Sequence, residues 1–301
     1  MTPLKLDIQN LIVFYYVATE ESLTSAAEKL CLSQPTVTYH IRTLETNIGV
    51  KLLDVKRQKI SLTRAGIGLL KYAEEVYRQM VGAENFLQNL KENSLRVGIC
   101  STFSSTVAAA ASIFEDLYPQ VKLIVKNATS FEVAEDVANL QVDLGIVVNM
   151  DYQNPKLKSI MLSKREKLVL VASPSSPIFQ KEHLDFIDIC GYPLISGPET
   201  SATRRIILNK LKVRGCNMPV PIIVEVNNSE WGKSLVENGK GMGLYHKKSV
   251  ENDISSGKLK VLPLPGELYV GADVLVRTDA PEHSMTEQFI TLVKNEFTNH
   301  H

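Results

Sequence analysis

Three short amphipathic stretches followed by two brief extended runs open the chain, and this order constrains the fold more than any other feature of the sequence. Ile8, Leu11, Ile12, Tyr15 and Ala18 recur at helical spacing, which predicts a first helix ending near Glu20. Ser22 then caps a short second helix, Leu23 to Leu30, with Ala26, Ala27 and Leu30 on its inner face. Two adjacent alanines let another helix approach closely, as a tight helix-turn-helix requires. After a turn at Cys31-Leu32, Ser33 caps a third helix running to about Thr46. Pro35 is tolerated there because N–H groups in the first turn have no intrahelical acceptor. Val37, Ile41 and Leu44 form the buried side of this helix. Gln34, Thr36, Thr38, Tyr39 and Arg42 lie on or near the other face, with Ser33 at the start. These hydrogen-bonding side chains suit base edges and phosphates, and an arginine can grip guanine with two bonds. The extended runs, Leu52-Leu53-Asp54 and Lys59-Ile60-Ser61-Leu62, flank Val55-Lys56-Arg57-Gln58. A basic turn between two strands in this position reads as a wing, whose Lys56, Arg57 and Lys59 would reach the phosphate backbone beside the groove.

Charge supports a nucleic-acid partner for this segment only. Over the whole chain of 301 residues, 33 Lys and Arg balance 33 Asp and Glu. From Lys29 to Arg64, however, seven basic residues face two acids, a net +5, so the remainder carries about −5. A basic module attached to a mildly acidic body is the pattern, although a solvated basic face would give the same charge count.

The run LTSAAEKLCLSQPTVTYHIRTLETNIGVKLLDVKRQKISLTRAG resembles the N-terminal signature of the LysR-type transcriptional regulators. The match covers Ala26-Ala27, Leu30, Ser33-Gln34-Pro35, Ile41, Leu44-Glu45, Gly49-Val50, Leu52-Leu53 and Leu62 to Gly66, in order and without gaps. Tyr39-His40 departs from it, where Arg or Lys followed by Gln is common, and so does Val55, where an Arg often closes the first wing strand. Beyond Gly66, Leu69, Ala73, Val76, Met80, Ala83, Leu87 and Leu90 repeat at alternating spacings of four and three. This a/d stripe predicts one long helix from Ile67 to Lys91 that wants a partner helix, or one docked on its own domain. The resemblance makes it a dimerising linker helix and implies a homodimer or homotetramer.

Glu92-Asn93-Ser94 breaks the helical pattern, and strand-like and helix-like runs then alternate: Leu95 to Ile99, Val107 to Leu117, Val121 to Val125, Phe131 to Leu140 and Leu144 to Val148. A second set follows from Leu168 to His246, and the chain returns at Leu268 to Arg277 before a last helix near Pro281 to Phe297. Alternation with short loops predicts mostly parallel sheets with helices on both faces. The expected architecture is an α/β multidomain chain. Its parts are a winged helix-turn-helix over 1–63, a linker helix over 64–92 and a two-lobed, periplasmic-binding-protein-like effector domain over 93–301. Lobe I takes about 93–164 and 269–301, and lobe II about 165–268. Leu168 to Pro174 and Leu235 to Leu244 resemble effector-domain landmarks of the same family, with Lys240 replacing an expected apolar residue and His246 standing where a proline is common.

Open α/β sheets bind ligands outside the carboxyl ends of their strands, against helix N-termini. Ser101 to Thr106, Asn127 to Ser130, Ser196-Gly197 and Thr200-Ser201 occupy such positions. Ser101, Thr102, Ser130, Thr200 and Ser201 are the expected effector contacts, with Asn227 as a further wall residue and Arg204 as either a ligand contact or a surface residue. Each hydroxyl could equally be a helix cap. The resemblance places Thr102 and Ser130 among effector-contacting hydroxyls.

No metal-ligand cluster, GxSxG elbow, P-loop or strand-following GxGxxG is present, and the six histidines form no base-and-orienter pattern, so neither an enzyme nor a cofactor is expected. Apolar runs such as Leu11 to Ala18 and Val107 to Phe114 are too short to span a bilayer. The N-terminus carries no signal-peptide pattern, so a bacterial-type cytoplasm is expected. Expected partners are double-stranded DNA, a small anionic effector, further copies of the chain and RNA polymerase. A redox-sensing regulator on the same scaffold is the alternative. Peroxide-sensing members of the family place cysteines near the segment that here reads Ile195 to Arg205, which has none, so this reading needs Cys190 and Cys216 to be neighbours in space.

Overall fold

The computed structural model describes residues 6–56, 59–216, 218–279 and 284–298. They form two compact bodies, Met1–Phe86 and Leu87–His301.

The first body is built from local signals. Helix α1 spans Ile8–Glu20 and is capped by Asp7, whose carboxylate accepts from Asn10 N–H at 3.0 Å. Helix α2 (Leu23–Lys29) starts on Ser22, and α3 (Gln34–Ile48) starts on Ser33 and stops at Gly49 in the left-handed region, φ 74°. Strands β1 (Leu53–Lys56) and β2 (Lys59–Leu62) pair antiparallel, with Lys56 opposite Lys59. Phe14, Val17, Ala26, Val37 and Leu44 are fully buried between the three helices.

Glu45 joins helix to wing. It is buried, and its carboxylate accepts from Leu52 N–H at 2.8 Å, from Leu53 N–H at 3.3 Å and from Lys51 Nζ at 2.6 Å. Burial alone would raise its pKa, but these three donors outweigh burial and hold the carboxyl below the usual range. Thr63 closes the wing. Its hydroxyl donates to Lys51 C=O at 2.7 Å and accepts from Gly66 N–H at 3.0 Å, so it acts as cap for the next helix. Gly66 is required by close approach, since a Cβ there would lie 2.2 Å from Leu52 O.

Helix α4 runs from Arg64 to Glu92, 29 residues and about 43 Å at 1.5 Å per residue. The structure divides the apolar stripe predicted along it. Ala73 is fully buried, and Leu69 and Val76 pack on the core of the first body. There Tyr77 stacks on Tyr15 at 4.6 Å, and its hydroxyl lies 2.9 Å from that of Tyr16. That hydrogen bond, with burial, pushes the Tyr16 pKa up to about 12. The first half of the stripe therefore docks on its own domain. Met80, Ala83 and Leu87 remain exposed.

The second body is one mixed sheet flanked by helices. In chain order it comprises β3 (Ser94–Cys100), α5 (Ser104–Leu117), β4 (Lys122–Ala128), α6 (Ser130–Ala138), β5 (Leu144–Val148), β6 (Leu157–Ala172) and β7 (Leu194–Ser196). It continues with α7 (Ala202–Val213), β8 (Ile222–Glu225), α8 (Ser229–Glu237), β9 (Met242–His246), α9 (Glu251–Ser255), β10 (Lys260–Val261), β11 (Leu268–Arg277) and α10 (Ser284–Thr298). The order across the sheet is β4-β3-β5-β11-β6-β9-β7-β8, with β10 on β6. Each lobe has a parallel core, β4-β3-β5 in one and β9-β7-β8 in the other.

The mostly parallel expectation is corrected at the centre. There β11 pairs antiparallel with both β5 and β6, and β6 antiparallel with β9. The reason is the path of the chain, which crosses between lobes once in each direction. The first half of β6 pairs with the end of β11 in lobe I, and its second half, Leu168 to Ala172, pairs with β9 in lobe II. The register slips between Val270 and Asp273, beside this crossing.

Cys190 and Cys216 are joined in lobe II, Cα atoms 6.1 Å apart, tying the turn after Phe186–Ile189 to the residues that follow α7.

Candidate DNA-contact face and effector cleft

On α3 the predicted face is presented outward. Ser33, Gln34, Tyr39 and Arg42 are exposed, and Thr36 and Thr38 are half-buried. Tyr39 is 66% exposed, which for a large ring in a small domain marks a surface used for something other than core packing. Several of these groups are held in place by neighbours on the same helix. Ser33 Oγ accepts from Thr36 N–H at 3.3 Å and lies 2.7 Å from Thr36 Oγ1, while Gln34 Nε2 donates to Thr38 Oγ1 at 3.2 Å. Ser33 is therefore the helix cap as well as a candidate contact. Arg42 has no ion-pair partner among the described residues, which leaves its guanidinium available. In the wing, Lys56 and Lys59 oppose each other across the hairpin. Arg57 lies outside the described residues.

In the second body a cleft of about 430 Å³ opens where strand ends meet helix starts of both lobes. From lobe I come Ser101 and Thr102, in the turn after β3, and Ser130 at the first position of α6. Lobe II supplies Ser201, which caps α7, Asn227 before α8, and Arg204. Thr200 is exposed and is not part of the cleft wall, a correction to its predicted role. The chain turns between Thr200 and Ser201, and only the capping residue faces the helix axis.

The hydroxyls differ in how far they are already engaged. Ser130 is buried and is not a cap; Thr129 caps α6 in a reciprocal box with Glu132. Ser130 Oγ instead accepts from Val148 N–H at 3.2 Å, and its hydroxyl also bonds the neighbouring Cys100 thiol. Ser101 donates to Asn127 Oδ1 at 2.9 Å, and Asn127 donates to Ser104 Oγ at 3.1 Å, which braces the lobe I side of the cleft. Cys100, at the end of β3, lies in the same wall. Burial pushes its thiol pKa up, against hydrogen bonds from Ser130 and Thr102, so the thiol stays protonated and acts as a small apolar lining. Arg204 is largely committed: its Nη1 donates to Glu225 at 2.7 Å and to Gly197 C=O at 3.1 Å.

Sequence reasoning did not assign Thr203, His246 or Ser249 to this cleft, which the structure adds to its wall. His246 is 4% exposed, with Nε2 2.9 Å from Glu166 Oε2 and its ring edge-to-face with Phe103 of lobe I at 5.5 Å. Its departure from the family's usual proline was the one signal available. No group of three or more His, Cys, Asp or Glu suited to a metal occurs among the described residues. No helix there is long and apolar enough to cross a membrane.

Two family models match, the "Bacterial regulatory helix-turn-helix protein, lysR family" over residues 8–67 and the "LysR substrate binding domain" over 88–298. The chain belongs to the LysR family. It is a LysR-type DNA-binding transcriptional regulator with an effector-binding domain, not an enzyme, in a family whose members bind DNA and small-molecule effectors and form oligomers. Among curated relatives it is similar to the "Probable RuBisCO transcriptional regulator" of Synechocystis sp., 26% identical over 308 residues, covering 100% of this chain and 89% of the relative. Among solved structures, full-length CbnR complexed with its target DNA matches with a TM-score of 0.62 and 17% identity, over 97% of this chain and 100% of that one. The Synechocystis PCC6803 CcmR regulatory domain in complex with 2-PG matches with a TM-score of 0.60 and 17% identity, over 69% of this chain and 98% of that one. At these identities the structures establish the shared fold.

Proposed function

We propose that this LysR-type regulator binds operator DNA as a dimer or tetramer, inserting α3 in the major groove with the wing on the adjacent backbone. A small anionic metabolite held in the interlobe cleft then changes subunit geometry and so the bend of the DNA. The observation that carries the effector half is the cleft: Ser101, Thr102, Ser130 and Ser201 converge on it from both lobes, beside the starts of α5, α6 and α7. Hydroxyl donors and helix N-termini favour carboxylates and phosphates. The 2-PG held by the similar CcmR domain is in keeping with that class. Contacts from two lobes give a ligand different affinities for open and closed arrangements, and that difference is the source of any conformational response. The exposed Met80, Ala83 and Leu87 of α4 offer the self-association seam, and RNA polymerase is the further partner by which such a regulator would act.

The test is fluorescence anisotropy of the full chain on the DNA just upstream of its own coding sequence, titrated with salt and unrelated competitor, then repeated with small carboxylates and phosphate esters, 2-PG among them. Competitor-resistant binding whose midpoint shifts with one of these anions is the expected result. Binding shared equally with competitor and insensitive to every anion would reject it.

One observation favours a second reading, a redox-responsive regulator: Cys190 and Cys216 are joined within lobe II, and α7 runs from their neighbourhood to the cleft wall at Ser201 to Arg204. In that reading the two thiols pass two electrons and two protons to a hydroperoxide, forming the disulfide, water and an alcohol. Thiol counting before and after hydroperoxide, with DNA affinity read in parallel, decides it; unchanged affinity despite the loss of two thiols would reject the switch.

A further inference from the structure

The two lobes of the effector domain touch at the rim of the cleft as well as beside the crossing strands. There the Arg205 guanidinium of lobe II lies over the Phe131 ring of lobe I, 4.4 Å from its centroid. Ser130 and Arg204, the residues just before each of this pair, line the cleft, whereas Phe131 and Arg205 do not. Each partner is braced within its own lobe. The Phe131 ring packs edge-to-face on Tyr152 at 5.5 Å, and the Tyr152 hydroxyl donates to Val148 C=O at 2.5 Å. Arg205 Nε donates to Glu199 C=O at 3.2 Å. Groups already held in place lose little rotamer freedom when they meet. Arg204 pairs with the Glu225 carboxylate at 2.7 Å, but Arg205 is exposed and has no carboxylate partner among the described residues. The face of the Phe131 ring is what its charge meets, and an arginine over an aromatic face is attracted to it. The contact joins the starts of α6 and α7, so the lobes cannot part at this rim without breaking it.

We propose that Arg205 and Phe131 select the effector by size: their contact holds the lobes at the spacing that encloses about 430 Å³, which favours compact anions over bulky ones. The inference rests on the interlobe cleft being the effector site. A compact anion that touches hydroxyls of both lobes binds the closed spacing, which the contact keeps populated. A bulky anion needs the lobes further apart and binds only after the contact is broken. An accessible cation–π contact biases such an equilibrium by about two- to fivefold. Removing it changes the ratio of the two affinities by that same factor, because the ratio follows the closed-to-open equilibrium however populated each state is.

Titration calorimetry of the full chain tests this with 2-PG and small carboxylates as compact anions and naphthyl phosphate as the bulky one. Wild type is compared with Arg205→Met, Phe131→Leu and the double variant, and amide hydrogen exchange over the first turns of α6 and α7 is followed in the same proteins without ligand. Arg205 is exposed, and Phe131→Leu leaves the Arg205 bond to Glu199 in place, so the contact is broken from either side. The compact-to-bulky affinity ratio is expected to fall about two- to fivefold in each single variant and no further in the double one. Exchange should rise in both, and Phe131→Tyr, which keeps a ring, should restore both readouts; a damaged fold would instead weaken all the anions together. An unchanged ratio, or exchange unchanged in both single variants, would overturn the selector while leaving the cleft as the effector site. Naphthyl phosphate that binds none of the proteins would overturn selection by size. If no anion binds any of them, the effector reading fails and the selector fails with it.

Discussion

Single side chains in this protein divide into those the fold uses up and those it leaves available, and the division decides which substitutions are informative. Arg42 is exposed on α3 and makes no ion pair among the described residues, so Arg42→Ala should abolish specific operator binding while leaving the oligomer intact. Anisotropy together with light scattering checks this, and unchanged affinity would remove that face from the DNA interface. Thr102 stands in the cleft wall with Ser130, and Thr102→Ala should weaken the effector response by about 1–3 kcal/mol at constant DNA affinity, the cost of leaving a buried acceptor without its donor. A wild-type dose–response curve would reject the contact. Glu45 behaves differently because all its work is internal. Its carboxyl is held below the ordinary range when folded, so the unfolded chain takes up the proton more readily. Its stabilising contribution is complete above the unfolded pKa, near 4.5, and is lost as pH falls through the lower folded value. Melting of wild type and Glu45→Gln between about pH 6 and 3 should show the wild type losing more stability on acidification; parallel slopes would contradict this account of Glu45.

Among the elements, those fixed by neighbouring residues were legible in the sequence and those fixed by distant ones were not. The caps Ser22, Ser33 and Ser201 and the breaks at Gly49 and Asn93 are local, and the corresponding helices begin and end within a few residues of where the sequence puts them. The antiparallel centre of the sheet was not legible, because strand direction depends on which lobe the chain enters next. At the cleft, periodicity found the hydroxyl-bearing turns but could not tell Thr200 from Ser201, since one peptide's orientation separates wall from solvent. The stripe on α4 shows the same limit. Spacing reveals that Leu69, Ala73, Val76, Met80, Ala83 and Leu87 share a face, and nothing in the spacing reveals that the first three already pack on the core of the first body. Self-association through α4 should therefore depend on its second half. Leu87→Glu is expected to lower the oligomer's mass in light scattering with little effect on the melting of the first body. Thr63→Ala, by contrast, should cost that body about 1 kcal/mol through the lost cap. An oligomer unaffected by Leu87→Glu would place the seam elsewhere.

As a whole molecule the chain is electrically neutral but not uniform, with its net positive charge gathered between Lys29 and Arg64. Affinity for DNA should accordingly fall steeply with salt despite a pI of about 7.0. Removing one wing charge, as in Lys56→Ala, should flatten the slope of log K against log salt by about one for each phosphate no longer neutralised, uniformly across sequences. A slope unchanged by that variant would take the wing off the phosphates.

The two crossing strands carry one more consequence. Ser163 and Ala272 sit opposite each other in the sheet, so the chain leaves lobe I and returns to it through neighbouring positions, roughly a strand spacing apart. All of lobe II is thus an insert whose two ends nearly touch. Such a segment can be exchanged as one piece of chain, provided its packing on lobe I, such as His246 against Phe103, is kept. A lineage of these proteins could acquire a new chemical vocabulary in one half of the cleft while keeping the other half, and the DNA address, unaltered.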